Sequence, residues 1–218
     1  GVAASTLAQQ LRAMAGRTLL TIVKDLPQTS SLLSENENRF SREVAQALSK
    51  QGFIALEGQA LAYVPITFAS LNAYLAGLSK NRRSSLKRKL KSRDRLTIER
   101  IPTGAAFADE ARVDAYYTLF DAVYMQSEIH FDKLTRAFFA DLLRDGDNGG
   151  VVFEYRDLES RALLGWNLCF EHGGKLIDKY IGLSYPAARE ANLYFVSWMV
   201  NLEYALERGL SHYVAGWT

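Results

Sequence analysis

Cysteine and histidine are scarce in this sequence, long apolar runs are absent, and each shortage closes off a class of protein. Cys169 is the only cysteine in 218 residues, so no disulfide can form within the chain and a reducing compartment is expected. Three histidines beside that single cysteine supply too few soft ligands for a structural zinc site, so no metal is expected. Charged or polar residues interrupt every apolar run well short of the ~20 residues that a membrane-crossing helix needs. Residues 1–18 have no basic segment followed by an apolar one, and so do not read as a secretory signal. With 48% hydrophobic and 23% charged residues, the balance is that of a globular, cytoplasmic protein.

Charge is unevenly placed. The chain totals +2, yet residues 80–95 hold nine basic side chains against one acid, Asp94. That stretch is therefore +8 by itself, and the remainder is net acidic by six. The chain is a mildly acidic protein with one cationic segment, not a generally basic one.

Periodicity sketches the elements. Leu7, Leu11 and Met14 have helical spacing from Ser5 to Gly16. Residues 18–23, Thr-Leu-Leu-Thr-Ile-Val, read as a short strand before the turn ending at Pro27. A helix over 35–50 stops at Gly52, and residues 53–57 and 60–64 read as a hairpin about Gly58. Between 68 and 91, Leu71, Leu75, Leu78, Leu86 and Leu90 mark an apolar helical face, with a break near Gly77 and Ser79. A strand over 96–101 ends at Pro102, and helices follow over 109–125 and 132–143, the second capped by Asp132. Three strands come next, 151–155, 163–170 and 175–183, the last two joined by His172-Gly173-Gly174. A long helix from Pro186 to Arg208 then stops at Gly209, before a strand over 212–215.

Strand, two helices, three strands, a long helix and a further strand is the order of the acetyltransferase fold. The stretches YLAGLSKNRRSSLKRKLK (residues 74–91) and YIGLSYPAAREANLYFVSWMVNLEYALERGLSHYVAG (residues 180–216) resemble the FemAB-like N-acyltransferases. Within that group the chain is most similar to the branch of tandem acetyltransferase-like (GNAT) and peptidoglycan-biosynthesis proteins. The resemblance implies an α/β class (α+β), with a mixed sheet flanked by helices and parts of two tandem halves. On that reading residues 1–66 close a first half, residues 67–95 form a basic helical connector, and residues 96–218 open a second half. The chain would then start late in one half and stop before the end of the next.

The resemblance also implies an activity: transfer of an acyl or aminoacyl group from acyl-coenzyme A or aminoacyl-tRNA to an amine. The acceptor would be a small molecule, a sugar nucleotide or a cell-wall precursor. In that fold the strand over 175–183 parts from the strand after the long helix, and the gap admits the donor. The loop Gly182, Leu183, Ser184 and Tyr185, with Arg189 and Gly216, would face it. This loop departs from the glycine-rich coenzyme A fingerprint, because Ser184-Tyr185-Pro186-Ala187-Ala188-Arg189 keeps a backbone from closing on a pyrophosphate. The departure fits a Fem-like member better.

Amine acylation needs a group to take the amine proton. Asp178 and Tyr180, two apart on one strand, are expected to share a sheet face and serve there. Glu128 and His130, between the two helices of the second half, border the acceptor pocket in such a fold. Each has a structural reading beside the catalytic one: Asp178 paired with Lys179 or Arg189, the tyrosines packed, Glu128 and His130 capping or exposed.

The cationic segment has two readings as well. Arg82, Arg83, Lys87, Arg88 and Lys91 would hold phosphate, a nucleotide or tRNA, or they are the solvated side of a helix whose leucines pack inward. No aromatic residue interleaves with these charges, Tyr74 being nearest, which speaks against base stacking. Attraction to an anionic membrane surface is a further partner mode. The alternative to an enzyme is a non-catalytic binding module of the same fold, recognising a phosphorylated or nucleic-acid partner through this helix.

Overall fold

The computed structural model describes residues 1–58, 60–128 and 133–217. The chain divides into two compact units, residues 1–59 and 60–218.

The first unit is a pair of helices, α1 (Val2–Ala15) and α2 (Glu35–Lys50). The Ser34 side chain accepts from the Glu37 amide while Glu37 accepts from the Ser34 amide at 2.7 Å, a reciprocal cap that fixes where α2 starts. Ala4 and Ala8 meet Val44 and Leu48 in a small core. The strand expected over 18–23 is not formed. Leu19, Leu20 and Ile22 stand exposed, since β-branched composition makes a strand only where a ladder partner exists. Residues 53–57 likewise form no strand, so the expected hairpin is absent.

The strand after Gly58 is instead β1 (Leu61–Pro65), the first element of the second unit. There follow α3 (Leu71–Gly77), α4 (Lys80–Leu90), a 3₁₀ turn (Lys91–Arg95), β2 (Leu96–Pro102), α5 (Glu110–Gln126) and α6 (Arg136–Arg144). Then come β3 (Gly150–Asp157), β4 (Leu163–His172), β5 (Lys175–Leu183), α7 (Ala187–Glu190), α8 (Leu193–Glu207) and β6 (His212–Trp217). The six strands form one sheet in the order β1-β6-β5-β4-β3-β2. Every neighbouring pair is antiparallel except β5 and β6, which are parallel. Gly173 and Gly174, both at positive φ, make the tight turn between β4 and β5.

Each face of the sheet has its own core. Phe153, Leu176, Leu193, Val196 and Leu202 gather on the α8 face, with Leu86 and Leu90 of α4 packed against them. Tyr116, Phe120, Phe139, Trp166 and Leu168 gather on the α5 and α6 face. Burial on both faces explains why β3 and β4 are mostly apolar rather than alternating, with Glu154 and Asn167 as the buried polar exceptions.

Two helix boundaries differ from expectation. Asp132 lies outside the described residues, and α6 is capped by Thr135, whose hydroxyl accepts from the Phe138 amide at 3.2 Å. The helix expected from Pro186 to Arg208 is broken at Asn192, which adopts the left-handed conformation (φ 51°, ψ 34°) that asparagine tolerates better than most residues. The four-residue α7 precedes that break, and the long helix begins only at Leu193. No helix among the described residues is long and apolar enough to cross a membrane.

Candidate active site

The parallel strands β5 and β6 part as the fold led us to expect. They pair only over Lys175–Ile177 and His212–Val214. Both strands are distorted where they separate. Against β4, Asp178 sits opposite Cys169 and Tyr180 opposite Leu168, which leaves Lys179 as an extra residue. Against β1, Val214 sits opposite Tyr63 and Gly216 opposite Ala62, which leaves Ala215 extra. A bulge bends its strand and raises the local twist, so two bulges at the same level turn the strands away from each other. Gly216, at φ 90°, completes the bend on β6. The fork encloses a cavity of about 180 Å³, bordered by Asp178 and Lys179 on β5, Tyr213 and Gly216 on β6, and Tyr194 and Trp198 on α8.

The base of the fork is a polar cluster inside the α8-face core. Asp178 Oδ2 accepts from Tyr213 Oη at 2.8 Å and from Asn201 Nδ2 at 2.9 Å, and its Oδ1 accepts from Asn167 Nδ2 at 3.3 Å. Asn201 Nδ2 also donates to Tyr213 Oη at 3.1 Å, Asn167 Nδ2 to Asn201 Oδ1 at 3.1 Å, and Tyr155 Oη to Asn167 Oδ1 at 2.9 Å. Four adjacent strands and α8 are thereby tied together. The Tyr213 bond to Asp178 crosses from β6 to β5 just where backbone pairing stops. Burial pushes the Asp178 carboxyl up to about 6, against the opposing pull of the donors from Tyr213, Asn167, Cys169 and Asn201. Burial likewise pushes the Tyr213 and Tyr155 phenols up, and the neighbouring Asp178 adds to both.

The structure brings some of the sequence-predicted residues to this place and leaves others elsewhere. Asp178 and Gly216 border the cavity. Tyr180 borders it too, but the bulge at Lys179 inverts the side-chain alternation, so Asp178 and Tyr180 do not share a face. Asp178 turns into the α8-face cluster, while Tyr180 packs on the other face, edge-on to Phe120 with ring centres 6.3 Å apart. Asp178 pairs with neither Lys179 nor Arg189, its partners being neutral.

Gly182, Leu183, Ser184, Tyr185 and Arg189 are not among the residues bordering the cavity. Gly182 lies against Trp166, where a Cβ would also come 2.9 Å from Leu119, and Leu183 is buried in the α8-face core. The Ser184 amide is committed to Leu164 O at 2.9 Å, Tyr185 packs against that core, and Arg189 lies over the Tyr185 ring at 5.7 Å. Glu128 is exposed in the turn after α5, and His130 lies outside the described residues. Arg83 donates to Ala76 O at 3.0 Å and Leu78 O at 3.4 Å, closing the end of α3. Arg82, Lys87, Arg88 and Lys91 are exposed, and none forms an ion pair or hydrogen bond through its side chain among the described residues.

Sequence reasoning missed Asn167, Asn201, Tyr213, Tyr194 and Trp198. A signal for the two asparagines was present: Asn167 interrupts the apolar run Leu-Gly-Trp-Asn-Leu-Cys, and Asn201 the run Trp-Met-Val-Asn-Leu. A lone amide in an otherwise buried run must find a polar partner inside. Among the described residues, no group of three or more His, Cys, Asp or Glu is placed to hold a metal ion.

Comparison with known proteins adds the family. A family model described as FemAB-like, peptidoglycan biosynthesis/recognition, matches residues 4–217. No curated protein matches the chain. Among solved structures, FemX is similar with TM-score 0.56 and 14% identity, over 81% of this chain and 60% of that one. L-PGS from Bacillus licheniformis is similar with TM-score 0.54 and 9% identity, over 83% and 57%. The C-terminal domain of a putative lysylphosphatidylglycerol synthetase from Agrobacterium fabrum is similar with TM-score 0.51 and 14% identity, over 73% and 46%. The chain thus matches less than two thirds of each of these neighbours, and at such identities the likeness is one of fold.

Proposed function

The chain belongs to the FemAB-like family, and from that premise we propose that it transfers an aminoacyl group from aminoacyl-tRNA to the amine of a cell-wall precursor. The observation that carries this reading is the fork between β5 and β6, because it offers an open strand edge beside a carboxylate. Past Ile177 the β5 edge no longer pairs with β6, so cleft-facing backbone groups are available to a developing oxyanion. The acceptor amine attacks the ester carbonyl of the donor; the C–N bond forms and the C–O bond to the ribose breaks. Asp178 takes the proton lost by the amine and returns it to the departing ribose oxygen. Neither the family match nor the structural neighbours support an acyl-coenzyme A donor. The proposal keeps the two tandem halves expected from the sequence.

A binding-only reading has one observation in its favour: both Asp178 oxygens already accept hydrogen bonds from within the protein. Transfer itself separates the two. The protein is incubated with tRNA charged with a labelled amino acid and a muramoyl peptide bearing a free amine, and the peptide is followed by mass spectrometry. The expected result is one added aminoacyl residue, formed at a rate that Asp178→Asn lowers by roughly 10²-fold or more. An unmodified peptide with a panel of charged tRNAs, or full activity in Asp178→Asn, would remove the catalytic role assigned to this cleft.

A further inference from the structure

The basic helix and the fork are far apart in sequence, yet the structure joins them through α8. Leu86 and Leu90 seat α4 on the α8-face core, and Asn192 Nδ2, just before α8, donates to Ser92 Oγ at 3.1 Å. Lys89 Nζ stands 3.2 Å from the centre of the Phe195 ring. Phe195 meets Tyr194 edge-on, with ring centres 5.8 Å apart, and Tyr194 borders the cavity. Tyr194 is 60% exposed and Phe195 36%, large values for aromatic side chains. Contacts therefore link Lys89 of α4, through two exposed rings, to the mouth of the cleft.

Both the outer face of α4 and the rings have unused binding capacity. Lys80, Arg82, Lys87, Arg88 and Lys91 are exposed and make no ion pair or side-chain hydrogen bond among the described residues. The Tyr194 hydroxyl and the Trp198 indole N–H make no hydrogen bond among them either. An interior role explains none of these groups. Cations in a row match successive phosphates, and exposed rings beside them match unpaired bases, whose faces stack on any aromatic. The sequence spoke against stacking because no aromatic interleaves with residues 80–95; the fold supplies the aromatics from residues 194 and 195 instead.

We propose that α4 and the Tyr194–Phe195 pair form a binding surface for the single-stranded 3′ end of an RNA, with phosphates on α4 and a terminal base on Tyr194. The inference rests on the aminoacyl-tRNA reading and deepens it, since it says how the donor's ester reaches the fork. A duplex alone would use the cations but leave the rings idle. An anionic bilayer would use the cations and call for apolar side chains to insert, but α4 buries its leucines in the core.

The test measures binding rather than turnover. An uncharged RNA stem-loop with a four-nucleotide 3′ overhang, and its blunt counterpart, are titrated with the 218-residue chain by fluorescence anisotropy at several salt concentrations. Tyr194→Ala is expected to weaken the overhang RNA about tenfold and the blunt RNA hardly at all, while Tyr194→Phe keeps wild-type affinity. Combined Arg82→Glu, Lys87→Glu and Arg88→Glu is expected to weaken both RNAs at least tenfold and to flatten the salt dependence by roughly two to three in slope. Equal loss for both RNAs in Tyr194→Ala, or no loss, overturns the proposal. So does tight binding to phosphatidylglycerol vesicles without binding to either RNA. Overhang-selective binding without aminoacyl transfer leaves this surface standing and sinks the catalytic reading. Transfer whose KM for charged tRNA is unmoved by the Tyr194 and arginine variants does the reverse.

Discussion

The two ends of α8 face hollows of opposite character. At its C-terminal end lies the larger, about 450 Å³, bordered by Arg100, Thr103, Gly150, Glu171, Tyr204 and Arg208. Its charges are already matched. Arg100 forks onto Glu207, Arg208 Nε donates to Glu171 Oε1 at 3.0 Å, and Tyr204 Oη donates to the same oxygen at 2.5 Å. Arg100 holds the Glu207 carboxyl below the usual range, and Arg208 with Tyr204 does the same for Glu171. At the N-terminal end the cavity is less than half that size, about 180 Å³. There a carboxyl is pushed up by burial, the Trp198 indole N–H and the Tyr194 hydroxyl have no hydrogen-bond partner among the described residues, and the β5 edge leaves β6 after Ile177. Volume records where atoms are missing. Unused hydrogen-bonding capacity records what a hollow can bind, and on that measure the smaller one is the candidate site.

The contrast breaks most readily at Asn201. Leucine there keeps the branched shape in a somewhat larger side chain, but removes the donations to Asp178 and Tyr213 and the acceptance from Asn167. Asp178 keeps its bonds from Tyr213 and Asn167 but loses one donor inside the core, and Asn167 loses an acceptor, so Asn201→Leu is expected to lower unfolding stability by about 2–4 kcal/mol at pH 7.5. Denaturant titration measures it. A variant as stable as wild type would mean that the cluster is incidental to the fold.

Acid titration gives a smaller effect with a sign peculiar to this end of the helix. Asp178 titrates near 6 in the folded protein, against the ordinary 3.8 for an unfolded aspartate. The folded state therefore holds its proton more tightly, and the unfolded state releases it first as pH rises. The stability contributed by the protonated group is complete below about pH 4 and is lost as pH rises through 6. Its full size is at most about 3 kcal/mol. Comparing wild type with Asp178→Asn across pH 4–8 isolates this group, because carboxylates such as Glu171 and Glu207, held low by cations, act in the opposite sense and cancel in the difference. Wild type should lose stability relative to the variant as pH rises; a flat difference would show that Asp178 is no more buried in effect than a surface carboxylate.

Much of this was legible in the residues. Strands 151–155, 163–170 and 175–183, the glycine turn, and the parting of strand 175–183 from the strand after the long helix all follow from local pattern and from the resemblance. What local pattern cannot supply is a partner's position. Residues 18–23 have strand composition and no neighbouring strand, so they form none. Asp178 and Tyr180 obey a period of two until a bulge at Lys179, set by pairing with β4, puts them on opposite faces. A helix expected from Pro186 places the donor-facing loop at 182–185; the left-handed Asn192 delays the long helix to Leu193, and Tyr194 and Trp198 border the cleft instead. Asn167 and Asn201 stand 34 residues apart, and only the packing of α8 on the sheet makes them one cluster.

The matched hollow offers the control, and the smallest effect. Glu207→Gln keeps the shape of the side chain and removes the charge that meets Arg100. Both partners are substantially exposed, at 39% and 49%, so water already solvates much of the pair and salt screens the rest. The loss in stability is expected to be at most about 1 kcal/mol at low ionic strength, and to fade by 1 M salt. Asn201→Leu should keep its larger penalty in the same salt, because its bonds lie inside the core. Equal penalties, or equal salt sensitivity, would place the two ends of α8 in one electrostatic regime. Unused capacity would then no longer mark the fork as the candidate site, since the Asp178 cluster would behave as another solvated surface network.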